Sequence, residues 1–485
     1  MKNQVVLDWD QYVALARQTV AEGCVLLENK DQALPLVKDE KVAVFGRIQN
    51  HYYKSGTGSG GMVNVSKVYG IVDGLRESGQ VILDEELIRI YQDWEKTHPF
   101  NEGEGWGNEP WCQEEMELTD EVVEAAGKRS ETAIVIIGRT AGEDKDASDT
   151  KGSYQLTDVE EDLLTKVRKN FDKMIVLLNV GGLLDMSFTD RYQPEAVMYV
   201  WQGGMVGGLG TADVLTGAVS PSGHLTDTIA YKVADYPSTP YFGDPDKNYY
   251  SEDIYVGYRY YEKKGIQPAY PFGYGLSYTS FEYEHLAVSE ENDHTIVTVD
   301  VTNTGAVAAK HVVELFIEPK MKTRLPRPVR ELKAFKKIFL QPGEKKQVCF
   351  SLERRDFAYY DPKVKDWVIE NGAYAIEICH DSMNVAVSAE ITKSGEKYLV
   401  PLGYDCGFYE MFQYPEVKKM FYEFLVEQGL VTADQVNDNL EKGIIWSFWA
   451  VRSYLDMNSN GLISFEAYNR FIDRANEVIK KMKAK

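Results

Sequence analysis

The sequence predicts a multidomain α/β protein: a mostly parallel sheet domain covered by helices, then an all-β sandwich, then a small helical tail. Three observations carry this reading. Short continuous apolar runs alternate with helical patterns through the first half of the chain, as strands of a parallel sheet buried on both faces do. From residue 281 a period-two alternation takes over, seen in Thr295 to Val301 and Val312 to Ile317 and broken by turns such as Asn303-Thr304-Gly305 and Gln341-Pro342-Gly343. Beyond about residue 400 the alternation gives way to helical spacing, with Pro415 placed to open a helix and Gly429 to close it. The length of 485 residues exceeds what one hydrophobic core usually organises, so two or three domains are expected.

Taken in order, residues 8 to 23 carry apolar side chains at helical spacing and stop at Gly23, a favoured helix terminator. Strands are predicted at Lys41 to Gly46, Thr132 to Gly138, Lys173 to Asn179 and Ala196 to Trp201. These elements place the α/β domain at residues 1–232. Residues 233–280, dense in Pro, Gly, Tyr and Asp (YPSTPYFGDPDKNYYSEDIYVGYRYYEKK), form an ordered connection, because a flexible linker would lack the tyrosines. The sandwich spans 281–395 and the helical tail 400–485.

Composition narrows the function. A formal net charge of -22, spread along the chain, argues for a soluble protein and against nucleic acid or anionic membrane as a partner. Cys24, Cys112, Cys349, Cys379 and Cys406 are scattered and never spaced as C-x-x-C, which indicates neither a disulfide framework nor a zinc site. The N-terminus, Met1-Lys2-Asn3-Gln4, leads into an amphipathic stretch without an apolar core, and no run approaches the ~20 apolar residues of a membrane span. A cytoplasmic location is expected. The seven histidines are dispersed, with no H-x-x-x-H pair, so no metal or other cofactor is expected.

The most informative loop follows the strand ending at Gly138: Arg139-Thr140-Ala141-Gly142-Glu143-Asp144-Lys145-Asp146-Ala147-Ser148-Asp149. It delivers four acids to the edge of the sheet where open parallel sheets bind ligands. A carboxyl crowded by carboxylates has a raised pKa, as a general acid near neutrality requires. Glu143, Asp144 and Asp146 are therefore candidate catalytic residues, although acidic loops are also commonly just solvated. A second candidate is Lys54-Ser55-Gly56-Thr57-Gly58-Ser59-Gly60-Gly61, whose glycines would let backbone amides approach a ligand closely. Its spacing matches neither nucleotide-binding glycine motif, and a plain flexible turn is the competing account. Gln202 to Gly208 forms another glycine-rich strand-to-helix turn. Trp106 and Trp111, in WGNEPW, offer aromatic faces for stacking a sugar ring, or for core packing. Asp456-Met457-Asn458-Ser459-Asn460-Gly461 imitates the start of a calcium loop, but Ala467 stands where a bidentate Glu belongs, so a helix-turn-helix is expected.

Together these stretches resemble glycoside hydrolase family 3, in particular bacterial β-glucosidases of inverted domain order. The resemblance rests on AEGCVLLENKDQALPL (21–36), KSGTGSGGMV (54–63), GRTAGEDKD (138–146), LLNVGGLLDM (177–186), WQGGMVGG (201–208), DVLTGAVSPSGHLTDTIA (213–230) and YVGYRYYE with PFGYGLSYTSFEY (255–283), and covers roughly residues 8–390. It implies a fibronectin type III-like sandwich, β-glucosidase-type hydrolysis, Glu143 as acid/base, and a loop at Ser55 to Gly61 that closes over the sugar. In that family a barrel Asp is the nucleophile. About 95 residues follow the sandwich here, where a barrel needs ~250, so the barrel is expected to be absent. The expectation is a glycosidase whose nucleophile comes from a partner chain or protomer. Two alternatives stand beside it: a non-catalytic carbohydrate-binding or regulatory protein, and a different chemistry using Glu143, Asp144 and Asp146. Expected partners are a carbohydrate ligand and a barrel-bearing chain or second copy.

Overall fold

Glu40–Phe45, Thr132–Arg139, Lys173–Val180 and Ala196–Tyr199 form adjacent parallel strands, and with two further strands they make one six-stranded sheet. In this computed structural model, residues 7–61, 63, 65–143, 145–436 and 449–483 are described. The two additional strands were not expected from the sequence. They are β1 (Val25–Asn29), which runs antiparallel along β6, and β3 (Val81–Leu83), a three-residue edge strand. The other four are β2 (Glu40–Phe45), β4 (Thr132–Arg139), β5 (Lys173–Val180) and β6 (Ala196–Tyr199), in the order β1-β6-β5-β4-β2-β3. β6 stops short of its expected end because Trp201 turns into the left-handed region at φ 52°.

Alternation along the strands explains the two helical layers. Ala43, Phe45, Val135, Ile137, Val176 and Leu178 point to one core, with Leu87 and Tyr91 of α3 (Glu85–Glu95), Val123 of α4 (Asp120–Arg129) and Leu163 and Leu164 of α5 (Asp158–Asn170). Val42, Val44, Ile134, Ile136, Ile175 and Leu177 point to the other, with Ala21 of α1 (Trp9–Gly23), Ile71 and Leu75 of α2 (Ile71–Ser78) and Leu215 of α7 (Gly207–Leu215). The short α6 (Ser187–Tyr192) adds Phe188 to the first core. β2, β4, β5 and β6 thus bury apolar side chains on both faces, at about 1.5–3 kcal/mol per large side chain. α1 is capped by Asp8, whose Oδ1 accepts the Gln11 N–H at 3.1 Å.

The order of the strands fixes where a ligand can sit. From β2 the chain steps outward to β3, returns across β2 to β4, and continues through β5 to β6. The direction of travel reverses between β2 and β4, so their carboxyl ends flank a crevice at the topological switch point. Gly46 ends β2 at φ 94°, where a Cβ would lie 2.3 Å from the Ile136 carbonyl oxygen. Only glycine lets the chain leave the sheet there.

The chain divides into two compact units, one of Met1–Glu318, Pro328–Leu352 and Ala375–Glu390, the other of Pro319–Arg327, Glu353–Tyr374 and Ile391–Lys485. The first holds the α/β domain, the connection with its short helix α8 (Tyr258–Lys264), and most of the sandwich. The sandwich sheets are β11-β8-β7 and β10-β9-β14-β15, built from β7 (Phe281–Glu291), β8 (His294–Asn303), β9 (Ala309–Pro319), β10 (Glu331–Leu340), β11 (Lys345–Leu352), β14 (Gly372–Asp381) and β15 (Asn384–Lys393). In the second unit Tyr359–Asp361 and Asp366–Val368 pair as a hairpin, the β12 and β13 of the chain. Its helices Pro415–Glu427, Val451–Asn458 and Phe465–Lys483 share a core that includes Phe421, Leu455 and Phe471. Asp456 and Asn458 lie in the helix Val451–Asn458, and the next helix follows a short turn. Among the described residues no helix is long and apolar enough to cross a membrane, and no group of three His, Cys, Asp or Glu is placed to hold a metal ion.

Candidate functional site

The loops that follow β2 and β4 interlock at the switch point. The Thr57 N–H donates to the Ala141 carbonyl at 2.6 Å, and its hydroxyl donates to the Glu143 carbonyl at 2.8 Å. Thr57 and Gly142 pair as a short parallel bridge. Ser59 then donates twice to one oxygen of the Glu143 side chain, Oε2, from its backbone N–H at 3.1 Å and from its hydroxyl at 3.3 Å. Gly58, at φ 79°, lets this happen: a Cβ there would lie 2.4 Å from the Glu143 Cβ and 2.6 Å from Oε2. The glycine-rich segment is therefore a docked element and not a plain flexible turn. Lys54 braces it from within, its Nζ donating to the Gly61 carbonyl at 3.1 Å and to the Ser55 hydroxyl at 3.3 Å.

Buried polar groups hold the two loops to the rest of the sheet edge. Asn179, fully buried at the end of β5, accepts the Tyr53 N–H at 2.8 Å and donates to the carbonyls of Tyr53 at 3.1 Å and Trp201 at 2.5 Å. One amide side chain thus ties β5 to the segments following β2 and β6. The Gln202 side chain donates to the Arg139 carbonyl at 3.3 Å, and the Gly204 N–H donates to the Lys54 carbonyl at 2.8 Å. Beneath the Glu143 loop, Arg139 makes a bidentate pair with Glu160, both contacts 2.6 Å, and its guanidinium also donates to the carbonyls of Gly138, Ser153 and Gln155. Glu160 is the N3 residue of a capping box on α5, so the same carboxylate starts a helix and anchors the loop.

The predicted site residues separate in space. Glu143 and Asp146 are exposed; Asp144 lies outside the described residues. The carboxyl whose pKa rises beside this loop is Glu109: burial pushes it up, against a hydrogen bond from the Thr140 hydroxyl. It sits inside the WGNEPW stretch, between Trp106 and Trp111 in sequence. The two tryptophans part company, Trp106 being half exposed while Trp111 packs beneath the Lys145 ammonium, 5.3 Å from its ring centre. The Trp111 carbonyl accepts the Thr140 N–H at 2.8 Å, which fastens the tryptophan loop to the acidic loop.

A cavity of about 590 Å³ opens on the other side of the tryptophan loop, lined in part by Trp94, His98 and Glu115. Burial pushes the Glu115 carboxyl up to about 7, although it accepts the N–H groups of Arg47 and Met116 at 2.9 Å each. The buried Arg47 donates to the Glu114 and His98 carbonyls at 2.7 and 2.8 Å. No sequence pattern announced this cluster, because its members are brought together by a loop of irregular structure. At the switch point Glu143 is a solvent-accessible carboxylate held by a neighbouring hydroxyl and amide; proton transfer is the chemistry such a group offers.

Comparison with known proteins agrees with this architecture. Residues 24–278 match the glycosyl hydrolase family 3 C-terminal domain and residues 311–382 the fibronectin type III-like domain. A β-glucosidase of Ruminococcus albus is 50% identical over 379 residues, 76% of this chain and 39% of that protein. The thermostable β-glucosidase B of Acetivibrio thermocellus is 33% identical over 395 residues, 80% of this chain and 49% of that protein. Among solved structures, a β-glucosidase from Paenibacillus barengoltzii gives a TM-score of 0.75 at 44% identity, covering 80% of this chain and 43% of the other. β-Glucosidase 3B from Thermotoga neapolitana in complex with glucose gives 0.73 at 36% identity, covering 79% and 54%. The chain spans about half the length of these relatives or less. Fold and matches together set it among multidomain α/β proteins that carry a fibronectin type III-like sandwich. It belongs to glycosyl hydrolase family 3, with that family's C-terminal α/β domain and fibronectin type III-like domain followed by a helical tail.

Proposed function

We propose that Glu143 is the acid/base of a β-glucosidase-type hydrolysis of O-glycosidic bonds, and that the nucleophilic carboxylate comes from a barrel outside these 485 residues, on a partner chain or another protomer. The observation that carries this reading is the position of Glu143: exposed, at the switch point between β2 and β4, on a loop locked to the glycine-rich segment. In a retaining reaction Glu143 protonates the departing oxygen while the nucleophile attacks the anomeric carbon, then deprotonates the water that releases the sugar; the two carboxyls stand about 5 Å apart. Lys54, Ser55, Gly56, Thr57, Gly58 and Ser59 form the wall of the sugar subsite in this proposal. Trp106 offers an exposed face for stacking. Asp146 is assigned a supporting electrostatic role.

The surface beside these loops supports a covering partner. Trp9, Tyr12 and Leu15 of α1 are all about half exposed, and an apolar groove of about 480 Å³ runs between Tyr12, Leu15 and Val20 and the segment Trp201 to Val206. Exposed apolar surface of this kind marks an interaction face. We assign a cytoplasmic location and domain limits of 1–232, 281–395 and 400–485 on the same footing.

The test is p-nitrophenol release from a panel of aryl β- and α-glycosides by the purified chain, alone and mixed with a family 3 barrel chain, beside Glu143→Gln. Turnover in the mixture, lowered about 10²–10⁴-fold in the variant, is the expected result. Silence in every combination, with calorimetry still showing heat on adding mono- or disaccharides, would replace this reading with a non-catalytic carbohydrate-binding role.

A further inference from the structure

The oxygen of Glu143 that Ser59 engages is one that a glycosidic oxygen would need. We propose that the glycine-rich loop is a latch on this side chain, with Ser59 a positioning residue that parks the carboxylate at rest and releases it when sugar and barrel arrive. The inference rests on the acid/base reading of Glu143 and adds a regulatory step to it. Two independent features carry it. Ser59 sends both of its donors, N–H and hydroxyl, to the same oxygen, Oε2, at 3.1 and 3.3 Å. Gly58, beside it, takes a conformation and a space that only glycine fills, its missing Cβ leaving the volume in which the Glu143 side chain lies.

The latch is anchored at its base and open at its tip. Thr57 bonds Ala141 and Glu143 through backbone carbonyls, contacts that do not depend on the Glu143 side chain. Ser59 and Gly60 beyond it are exposed, and among the described residues Ser59 hydrogen-bonds the acidic loop through the Glu143 carboxylate alone. Release of Glu143 therefore frees the tip while leaving the loops joined at Thr57. No rearrangement of the sheet is needed.

Hydrogen-exchange mass spectrometry on the full chain reads the latch without requiring turnover. Glu143→Ala removes the acceptor and should speed exchange in residues 54–61 about tenfold, the loss expected for a hydrogen bond to a charged group, while residues 132–138 of β4 exchange as before. Gly58→Ala should loosen the same segment by forcing a methyl group against Glu143. Glu143→Gln, which keeps the shape of the side chain, serves should the alanine variant unfold. Unchanged exchange at 54–61 in Glu143→Ala, or loosening that spreads equally into 132–138 in both Glu143 variants, would overturn the latch. In the barrel-supplied protein, Ser59→Ala removes the hydroxyl donor and keeps the backbone N–H donor, so kcat should rise about twofold as one of the two tethers to the resting carboxylate is lost; an unchanged or lower kcat would count against the latch. The two readings fail separately: lost turnover in Glu143→Gln with unaltered exchange in Glu143→Ala keeps the acid/base and removes the latch, and the reverse pattern keeps the latch and removes the acid/base.

Discussion

Replacing Arg139 by methionine should destabilise the α/β domain by about 3–5 kcal/mol, because it leaves the Glu160 carboxylate buried without its partner. The structure sets that size. The Arg139 and Glu160 side chains are 4% and 10% exposed, and their bidentate contacts are both 2.6 Å. Only the Thr157 N–H, at 2.8 Å, would remain to hold the carboxylate. Three carbonyls, of Gly138, Ser153 and Gln155, lose their donor as well. At about 2–4 °C per kcal/mol for a domain of this size, the melting midpoint should fall by about 6–20 °C in a calorimetric scan. The paired change Arg139→Met with Glu160→Leu should cost less than Arg139→Met alone, since two apolar side chains of similar volume filling the site are less costly than an isolated buried charge. A single variant that melts within about 3 °C of the wild type, a loss near 1 kcal/mol, would refute the claim that this pair anchors the Glu143 loop.

Asn179→Ala should cost about 2–4 kcal/mol, because the Tyr53 amide and two carbonyls lose a buried partner at once, and urea unfolding measures it. His311 gives the sandwich a pH dependence. Burial, reinforced by neighbouring His224 and His380, holds its imidazole down to about 3, while Tyr283 bonds its Nε2 at 2.5 Å and Glu314 faces His224 at 3.1 Å. The unfolded state takes up the proton first, so stability from this group is complete above about pH 6.5 and falls as pH drops toward 3. Its slope is at most about 1.4 kcal/mol per pH unit, and urea titrations of wild type and His311→Gln between pH 4 and 7 should differ by that slope. Thiol labelling of the native chain should find one fast cysteine, Cys349, which is exposed. Cys24 should stay silent, its thiol pushed up to about 12 by burial.

Much of this architecture was legible because it is written in local periodicity. The runs Val42 to Phe45, Ala133 to Ile137, Met174 to Leu178 and Ala196 to Val200 are apolar at consecutive positions, as a doubly covered strand is. β1 escaped because Val25 to Asn29 is only five residues long and starts one residue after the opening helix ends, and β3 because three residues carry no period. Glu143 was legible only through its motif. What brought it to the glycine-rich segment is the reversal of strand order between β2 and β4, a property of pairing that no local pattern encodes. Asn179 left a faint signal, one amide at the end of an otherwise apolar strand. Glu160 left a misleading one, since its place in a capping box accounts for it fully until Arg139 is seen beside it. The cluster around Arg47 and Glu115 left none, being assembled by the irregular chain between α3 and α4.

The measurement that reaches the central claim most directly is how Glu143→Gln responds to the leaving group when a family 3 barrel chain is supplied. Protonation by Glu143 matters most where the departing oxygen is basic, so in kcat/KM, which reports the step that expels the leaving group, the variant should lose about 10²–10⁴-fold on a phenyl β-glucoside and little on the 2,4-dinitrophenyl β-glucoside, whose phenolate leaves without a proton. Equal losses on both substrates, or no turnover by the wild-type mixture on either, would contradict the assignment of Glu143 as the acid/base.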